Sequence, residues 1–209
     1  MLKVRALGET DYLQTWERMR EFTTARDEDT DDELWLTEHP PVFTLGQAGR
    51  REHLFFETDV PIVRTDRGGQ ITYHGPGQIV GYALVDLKRA RISVHDFVCM
   101  LEQAMIDTVE EFGVEASRLS GHPGIYVAGR KIGSLGLRIR RSCSYHGISL
   151  NVDMDLKPFD DIDPCGIPGM TVTQLKDLAP DVDMLAARRV FETSFRALYQ
   201  ARTRIPSAN

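Results

Sequence analysis

The sequence is poor in cysteine, in excess positive charge and in long apolar runs, and each shortage excludes something. Only three cysteines occur in 209 residues, Cys99, Cys143 and Cys165, widely spaced and odd in number. A disulfide-stapled secreted domain is excluded, and a reducing cytoplasm with free thiols is the expectation. Lys and Arg total 25 against 31 Asp and Glu, a net charge of -6. That argues against general nucleic-acid binding, which needs a basic footprint. No apolar run approaches the ~20 residues of a membrane span. The opening MLKVRALGETD lacks the cationic start and apolar stretch of a signal peptide. No internal repeat, low-complexity tract or long linker breaks the chain.

Hydrophobic residues make up 42% and charged residues 27%, a globular balance. A chain of this length buries about 70% of its unfolded surface, enough to hold a core without disulfide or metal. Three helices are expected. Tyr12, Trp16, Met19 and Phe22 follow a three-to-four spacing after Thr10 or Asp11 as cap. Ser93, with Asp96 three residues on, opens a second, striped by Phe97, Leu101, Met105, Val109 and Phe112 and ended by Gly113. A third runs from about Asp183 to Tyr199, with Met184, Ala187, Phe191, Phe195 and Leu198 as its apolar face. Strands are expected at 34–37, 42–45, 62–65, 79–85 and 145–152, with a hairpin of 125–127 and 132–139 turned at Ala128-Gly129-Arg130. Asp27 to Glu33, DEDTDDE, reads as a solvated loop or helix start. The pattern is that of an α+β (mixed α/β) fold with one main sheet.

Three segments carry candidate chemistry. Arg67 to Gln78, RGGQITYHGPGQ, has four glycines and a proline in twelve residues, a loop whose backbone can approach a ligand. It lacks the Gly-Lys-Ser/Thr of a phosphate loop and the GxGxxG of a dinucleotide site. Cys165 stands in DDIDPCGIPGM, a loop shaped by Pro and Gly. Asp160, Asp161 and Asp163 oppose thiolate formation there, so a working nucleophile needs a cation from elsewhere in the fold. GRKIGSLGLRIRR, 129–141, puts Lys131 on a strand between glycines, where a partly enclosed amine can activate a thiol. His74 is the competing partner on Cys–His logic, and spacing does not decide between them. Cys99 points away from its helix's apolar stripe with no evident activating partner. Cys143 and His146, three apart on a strand, face opposite sides and cannot share an ion. No Cys/His cluster has zinc spacing, so neither metal nor cofactor is expected.

RGGQITYHGPGQIVGY, GRKIGSLGLRIRRSCSYHGISLNVDMDL and DPCGIPGM, in that order, resemble the lipoate-biosynthesis octanoyltransferases from about residue 34 to 178. The resemblance implies a single catalytic domain over 1–209, of the type found in biotin and lipoate protein ligases: a mixed sheet flanked by helices, with a smaller sheet beside it. It implies transfer of an octanoyl group from octanoyl-acyl carrier protein to the ε-amine of a lysine on a lipoyl domain. The glycine-cleavage H protein and the acyltransferase subunits of 2-oxoacid dehydrogenases are such acceptors. Matched residue by residue, Cys165 stands where the family has its acyl-thioester nucleophile and Lys131 where it has the lysine that activates it. Arg67, Gly68, Gly69, Gln70, Ile71, Thr72, Tyr73 and His74 match an acyl-substrate-binding segment, as do Ser134, Leu135, Gly136 and Gly147, Ile148, Ser149. Ile167-Pro168 and Ser134 depart from the commoner family residues. Glycine amides at Gly75–Gly77 or Gly133–Gly136 are candidates for an oxyanion hole. An acidic carrier protein approaching a chain of net charge -6 requires a local basic surface, for which Arg130, Arg138, Arg140 and Arg141, with Arg50, Arg51 and Arg64, are candidates. The alternatives are an ATP-dependent lipoate or biotin protein ligase of the same fold, which needs no cysteine, and a non-catalytic acyl-binding module.

Overall fold

The structure, a computed structural model, describes residues 1–49, 58–162 and 170–203. Cys165 and Arg50 and Arg51 lie outside them. Among the described residues, ten strands and five α-helices follow one another as β1 (Leu2–Glu9), α1 (Tyr12–Ala25), β2 (Asp32–Glu38), β3 (Val42–Leu45), β4 (Ile62–Arg64), β5 (Ile71–His74), β6 (Gln78–Leu84), α2 (Leu87–Ala90), α3 (Val94–Glu110), β7 (Ser117–Leu119), β8 (His122–Val127), β9 (Arg130–Arg140), β10 (Cys143–Asn151), α4 (Leu175–Leu178) and α5 (Met184–Thr203). A seven-stranded sheet runs β1-β2-β6-β10-β9-β8-β7, and a three-stranded one β4-β3-β5. The large sheet is antiparallel except for the parallel pair β1–β2. No helix among the described residues is long and apolar enough to cross a membrane.

The helix starts obey their caps. Asp11 accepts from Gln14 N at 2.9 Å, Ser93 from Asp96 N at 3.0 Å and Asp183 from Ala186 N at 2.8 Å, each satisfying a backbone donor that a helix start leaves open. The stripes of α3 and α5 meet over one face of the sheet, where Phe97, Leu101, Met105, Phe191 and Phe195 are fully buried with Ile79, Ile125 and Ile132. On the other face α1 lays Tyr12 and Met19 against Trp35, Val80, Tyr82 and Tyr145. The β8–β9 hairpin turns where expected, with Ala128 and Gly129 at positive φ, the two-residue geometry that matches strand twist.

Two expectations are corrected. The acidic stretch is solvated only in its first half. Asp32 and Glu33 begin β2 and are buried, at 1% and 4% exposure, because each has cationic partners. Arg26 and Arg89 reach Asp32 at 2.5 and 2.8 Å, Tyr199 donates to it at 2.5 Å, and Arg5 pairs with Glu33. Composition shows the charges but not the three arginines and the tyrosine that four separate parts of the chain bring to them. The glycine-rich segment, in turn, contains a strand, since Ile71–His74 pair with Val42–Leu45 in the small sheet. Strands β1 and β7 and the short α2 and α4 were not anticipated; β1 and β7 are largely exposed and carry little apolar signal.

Candidate active site

A cavity of about 440 Å³ lies where the glycine-rich segment passes over β9 and β10, within the ~300–1,000 Å³ usual for small-molecule sites. Arg67 to Thr72, His74, Lys131, Ser134 to Gly136 and Gly147 to Ser149 all line it. Sheet pairing explains the convergence of the last two groups: Gly147 lies opposite Gly136, Ile148 opposite Leu135 and Ser149 opposite Ser134. The small residues let the first segment come down onto the sheet. Gly68 N donates to Leu137 O at 2.8 Å, and a Cβ on Gly136 would stand 2.8 Å from Gly68 O.

Arg67 holds that segment in shape. Its guanidinium donates to the carbonyls of Thr44, Gly68 and Gln70 at 2.6, 2.9 and 2.8 Å and to the Thr44 hydroxyl. Tyr73 departs from the expectation. Alternation along β5 turns its ring away from the cavity, to pack with Phe43 and Phe159 at centroid distances of 5.3 and 5.7 Å. Gly75–Gly77 do not line the cavity either, and Gly77 N already donates to Glu38. Of the glycines considered for an oxyanion hole, Gly136 lines it.

Lys131 is 3% exposed. Its Nζ donates to Pro123 O at 3.0 Å and lies 5.4 Å from the Tyr126 ring centroid, so a carbonyl dipole and a π-face offset part of the cost of burying it. Gly124 makes this possible: at φ +124° it takes a backbone conformation closed to most side chains, and a Cβ there would stand 2.9 Å from Lys131 Cε. Glu102 of α3, held by Arg118, accepts from Gly124 N at 2.9 Å and fixes this part of β8. On the other side, Lys131 N donates to Thr171 O and Thr173 N to Lys131 O, at 3.0 and 2.9 Å. Thr171 follows Cys165 by six residues, so the chain at 171–173, shortly after the cysteine in sequence, pairs with the lysine's own backbone. Asn151 secures that return by donating to Thr173 O at 3.0 Å, and Gln78 links Asn151 to His74.

The other end of the cavity is a polar wall that sequence reasoning missed. Tyr12, His74, Tyr82 and His146 line it. Asp66 receives hydrogen bonds from Tyr145, from Trp16 at 2.9 Å and from His146 Nε2 at 2.9 Å. Burial alone would raise the Asp66 carboxyl, but the bonds from His146 and Tyr145 outweigh it and hold the group well below the usual carboxylate range. Burial, helped by neighbouring His39, drives His74 down to about 3. His146 is lowered by burial too, with Asp66 opposing. His146 takes φ +61° within β10, and its Nδ1 has no partner among the described residues. These groups come from four elements, α1, β5, β6 and β10, and from the loop that holds Asp66, and carry no common sequence signal. Cys143 adjoins the Asp32 cluster while His146 bonds Asp66, so the two join different networks. Cys99 Sγ has a neighbour the sequence reading passed over, His95 Nε2 at 3.7 Å one turn back on α3.

The chain matches the family model described as the lipoyl protein ligase A/B catalytic domain over residues 11–196. It is 54% identical to an octanoyltransferase of Cellvibrio japonicus over 185 residues, 88% of this chain and 86% of that one. It is 54% identical to an octanoyltransferase of Thiobacillus denitrificans over 199 residues, 95% and 91% of the two. In fold it is similar to a lipoate protein ligase from Thermoplasma acidophilum (TM-score 0.74, 14% identity, 95% of this chain and 84% of that one). It also resembles a biotin protein ligase from Aquifex aeolicus (TM-score 0.57, 13% identity, 96% and 70%). The biotin- and lipoate-ligase-like fold expected from the motifs is therefore the fold observed, and the chain belongs to the lipoyl protein ligase A/B catalytic domain family, among its octanoyltransferases.

Proposed function

We propose that the chain, as a single catalytic domain and in the cytoplasm, transfers an octanoyl group from octanoyl-acyl carrier protein to the ε-amine of a lysine on a lipoyl domain, through a thioester on Cys165. The observation that carries this reading is the convergence of three sequence-distant segments on one cavity whose wall includes the buried Lys131, in a chain 54% identical to octanoyltransferases.

The chemistry is a two-step exchange. The Lys131 ammonium favours the Cys165 thiolate. The thiolate attacks the donor thioester carbonyl, a new C–S bond forms, the carrier's C–S bond breaks, and Lys131 gives its proton to the departing thiol. The acceptor amine then attacks the enzyme thioester, the C–N bond forms, Cys165 leaves as thiolate, and neutral Lys131 takes the proton the amine sheds. A thiolate is both a capable nucleophile and a capable leaving group, so two protein substrates use one site in turn. His74 fits the rival role of activating base poorly: its Nδ1 is 2.7 Å from Gln78 and burial holds it neutral far below pH 7. The ATP-dependent ligase reading rests on fold likeness at 14–15% identity, whereas the octanoyltransferases match at 54%.

The test is intact-mass analysis after incubation with octanoyl-acyl carrier protein, with and without apo lipoyl domain and without ATP. An octanoyl adduct on Cys165 that is discharged to the lipoyl domain is expected, with none in Cys165→Ala. An adduct on Cys99, or transfer only with ATP and free octanoate, refutes the proposal.

A further inference from the structure

Beyond Ser134, β9 loses its partner β8, whose register ends at Gly124 opposite Ser134. Leu135–Arg140 therefore form a sheet edge backed by β10 alone among the named strands. The cavity comes to the surface along this edge. Its lining there is Leu137 and Ile139 of β9, both half-buried, with Val98 and the 49%-exposed Val94 of α3. Lys131 Nζ is bonded to Pro123, the residue before Gly124, so the buried amine lies at the level where β8 stops pairing with β9.

Between and after these apolar residues β9 carries cations. Arg138 and Arg140 alternate with Leu137 and Ile139, and Arg141 follows in the turn at φ +50°. From α1, Arg20 joins them: it lies over the Trp16 ring at 5.3 Å, acts with Arg138 on Tyr145, and lines a surface depression with Arg140. Glu17 and Glu21 border the same depression, which leaves four arginines against two carboxylates. Among the described residues none of Arg20, Arg138, Arg140 and Arg141 forms a salt bridge. Arg5, Arg26, Arg89, Arg118, Arg196 and Arg202 are paired, while Arg18, Arg64, Arg91, Arg130, Arg188 and Arg189 form no salt bridge among the described residues either, so what sets these four apart is their clustering at one end of β9. A basic island on a chain of net charge -6 keeps its field for a partner. Arg130, considered with this group on sequence, sits at the opposite end of β9, in the hairpin turn.

We propose that Arg20, Arg138, Arg140 and Arg141, gathered on the α1 side of the β9 edge, form the docking surface for the acidic carrier protein that delivers the acyl thioester. This rests on the octanoyl-transfer reading and deepens it. Charge complementarity selects the carrier rather than a lipid or nucleic acid, because the island is small and the rest of the chain is acidic and repels extended polyanions. The spacing agrees. From the level of Pro123, beside Leu135, to Arg140 is about five residues, ~17 Å along a strand. That is the scale of a phosphopantetheine arm, so a carrier held at the arginines places its thioester at Lys131.

The experiment compares two donors that carry the same acyl group, octanoyl-acyl carrier protein and octanoyl-pantetheine, with wild-type enzyme and the double variant Arg140→Glu/Arg141→Glu. Neither residue lines the cavity. Expected is a fall of about tenfold or more in kcat/KM for the carrier protein, unchanged kcat at saturation, and unchanged kcat/KM for octanoyl-pantetheine. Wild-type kcat/KM for the carrier falls as salt rises from 0.1 to 1 M, where the Debye length shrinks from about 10 to 3 Å, and that dependence flattens in the variant. Equal loss with both donors, or no loss with the carrier, overturns the docking surface. If wild-type enzyme turns over neither donor, it is the octanoyl-transfer reading that fails.

Discussion

Replacing His74 with Gln should remove a defined part of the protein's acid sensitivity. The imidazole is 6% exposed, stacked on Tyr12 and 6.0 Å from the His39 ring, and its Nδ1 is 2.7 Å from Gln78 Oε1. Its folded pKa is about 3, against ~6.5 in an unfolded chain. Between those values the unfolded chain binds a proton that the folded chain refuses. Stability is therefore full above ~6.5 and is lost as pH falls towards the folded value. Linkage gives a loss of about 2 kcal/mol between pH 8 and pH 5, growing to about 5 kcal/mol once the pH has passed through 3. Carboxylates stay largely ionised in both states down to about pH 5, so in the pH 8 to 5 window the histidines titrate together with the terminal amine, whose contribution is common to both proteins. His39 and His146, also lowered by burial, act in the same direction. Urea unfolding at pH 8, 6.5 and 5 measures the effect. At an m-value of ~2 kcal/mol/M, His74→Gln should narrow the pH 8 to 5 difference in midpoint by about 1 M relative to wild type. The substitution changes baseline stability as well, so the quantity read is the pH dependence. Parallel curves for the two proteins would show that His74 titrates near its ordinary value and that the buried-neutral description is wrong.

Three further outcomes are expected. Gly124→Ala, which at a positive φ sets a Cβ against the backbone oxygen of Gly133 and 2.9 Å from Lys131 Cε, should cost about 1–3 kcal/mol of stability by denaturation and, through a displaced β8–β9 pairing and amine, on the order of 10²-fold in transfer rate; unchanged turnover in a folded variant would separate Lys131 from the reaction. Asn151→Ala leaves Thr173 O without its buried donor and Gln78 with one partner fewer and should destabilise by about 1–3 kcal/mol, seen as a thermal midpoint lowered by several degrees; no shift would mean that water replaces the amide. Lys131→Ala should raise the pH midpoint for alkylation of Cys165, and Lys131→Arg should recover the midpoint but little turnover, because arginine keeps the charge and does not give up its proton near neutral pH; a midpoint that moves in His74→Ala and not in Lys131→Ala would assign a Cys–His pair instead.

The elements most legible in the sequence were those whose stabilising interactions are local or periodic. Helices α1, α3 and α5 are set by caps within three residues and by stripes at helical spacing, and both survive translation into structure nearly unchanged. The β8–β9 hairpin was legible because Ala128-Gly129 supplies the turn. The motif segments were legible as chemistry, and of the individual residues they single out as catalytic or substrate-binding all but Tyr73, and Cys165 outside the described residues, line one cavity. Tyr73 failed because a contiguous motif hides the two-residue alternation of a strand, which sends every second side chain to the opposite face.

What only the tertiary structure decided is which distant groups meet. Asp32 reads as one of seven consecutive acidic or threonine positions and becomes a buried hub because Arg26, Arg89 and Tyr199 arrive from α1, α2 and α5. Asp66, beside the recognised Arg67, gains its role from Trp16, Tyr145 and His146, partners 50 to 80 residues away. Arg20 and Arg140 share a surface although 120 residues separate them. Burial and ion pairing are set by such long-range proximity, and the free energy of a charge depends on its surroundings far more than on its neighbours in the chain. Sequence by itself thus determined the candidate reacting groups and the local elements; sheet order and strand register determined that Lys131 is enclosed, that His39, His74 and His146 are buried, and that Arg20 and Arg140 share a surface.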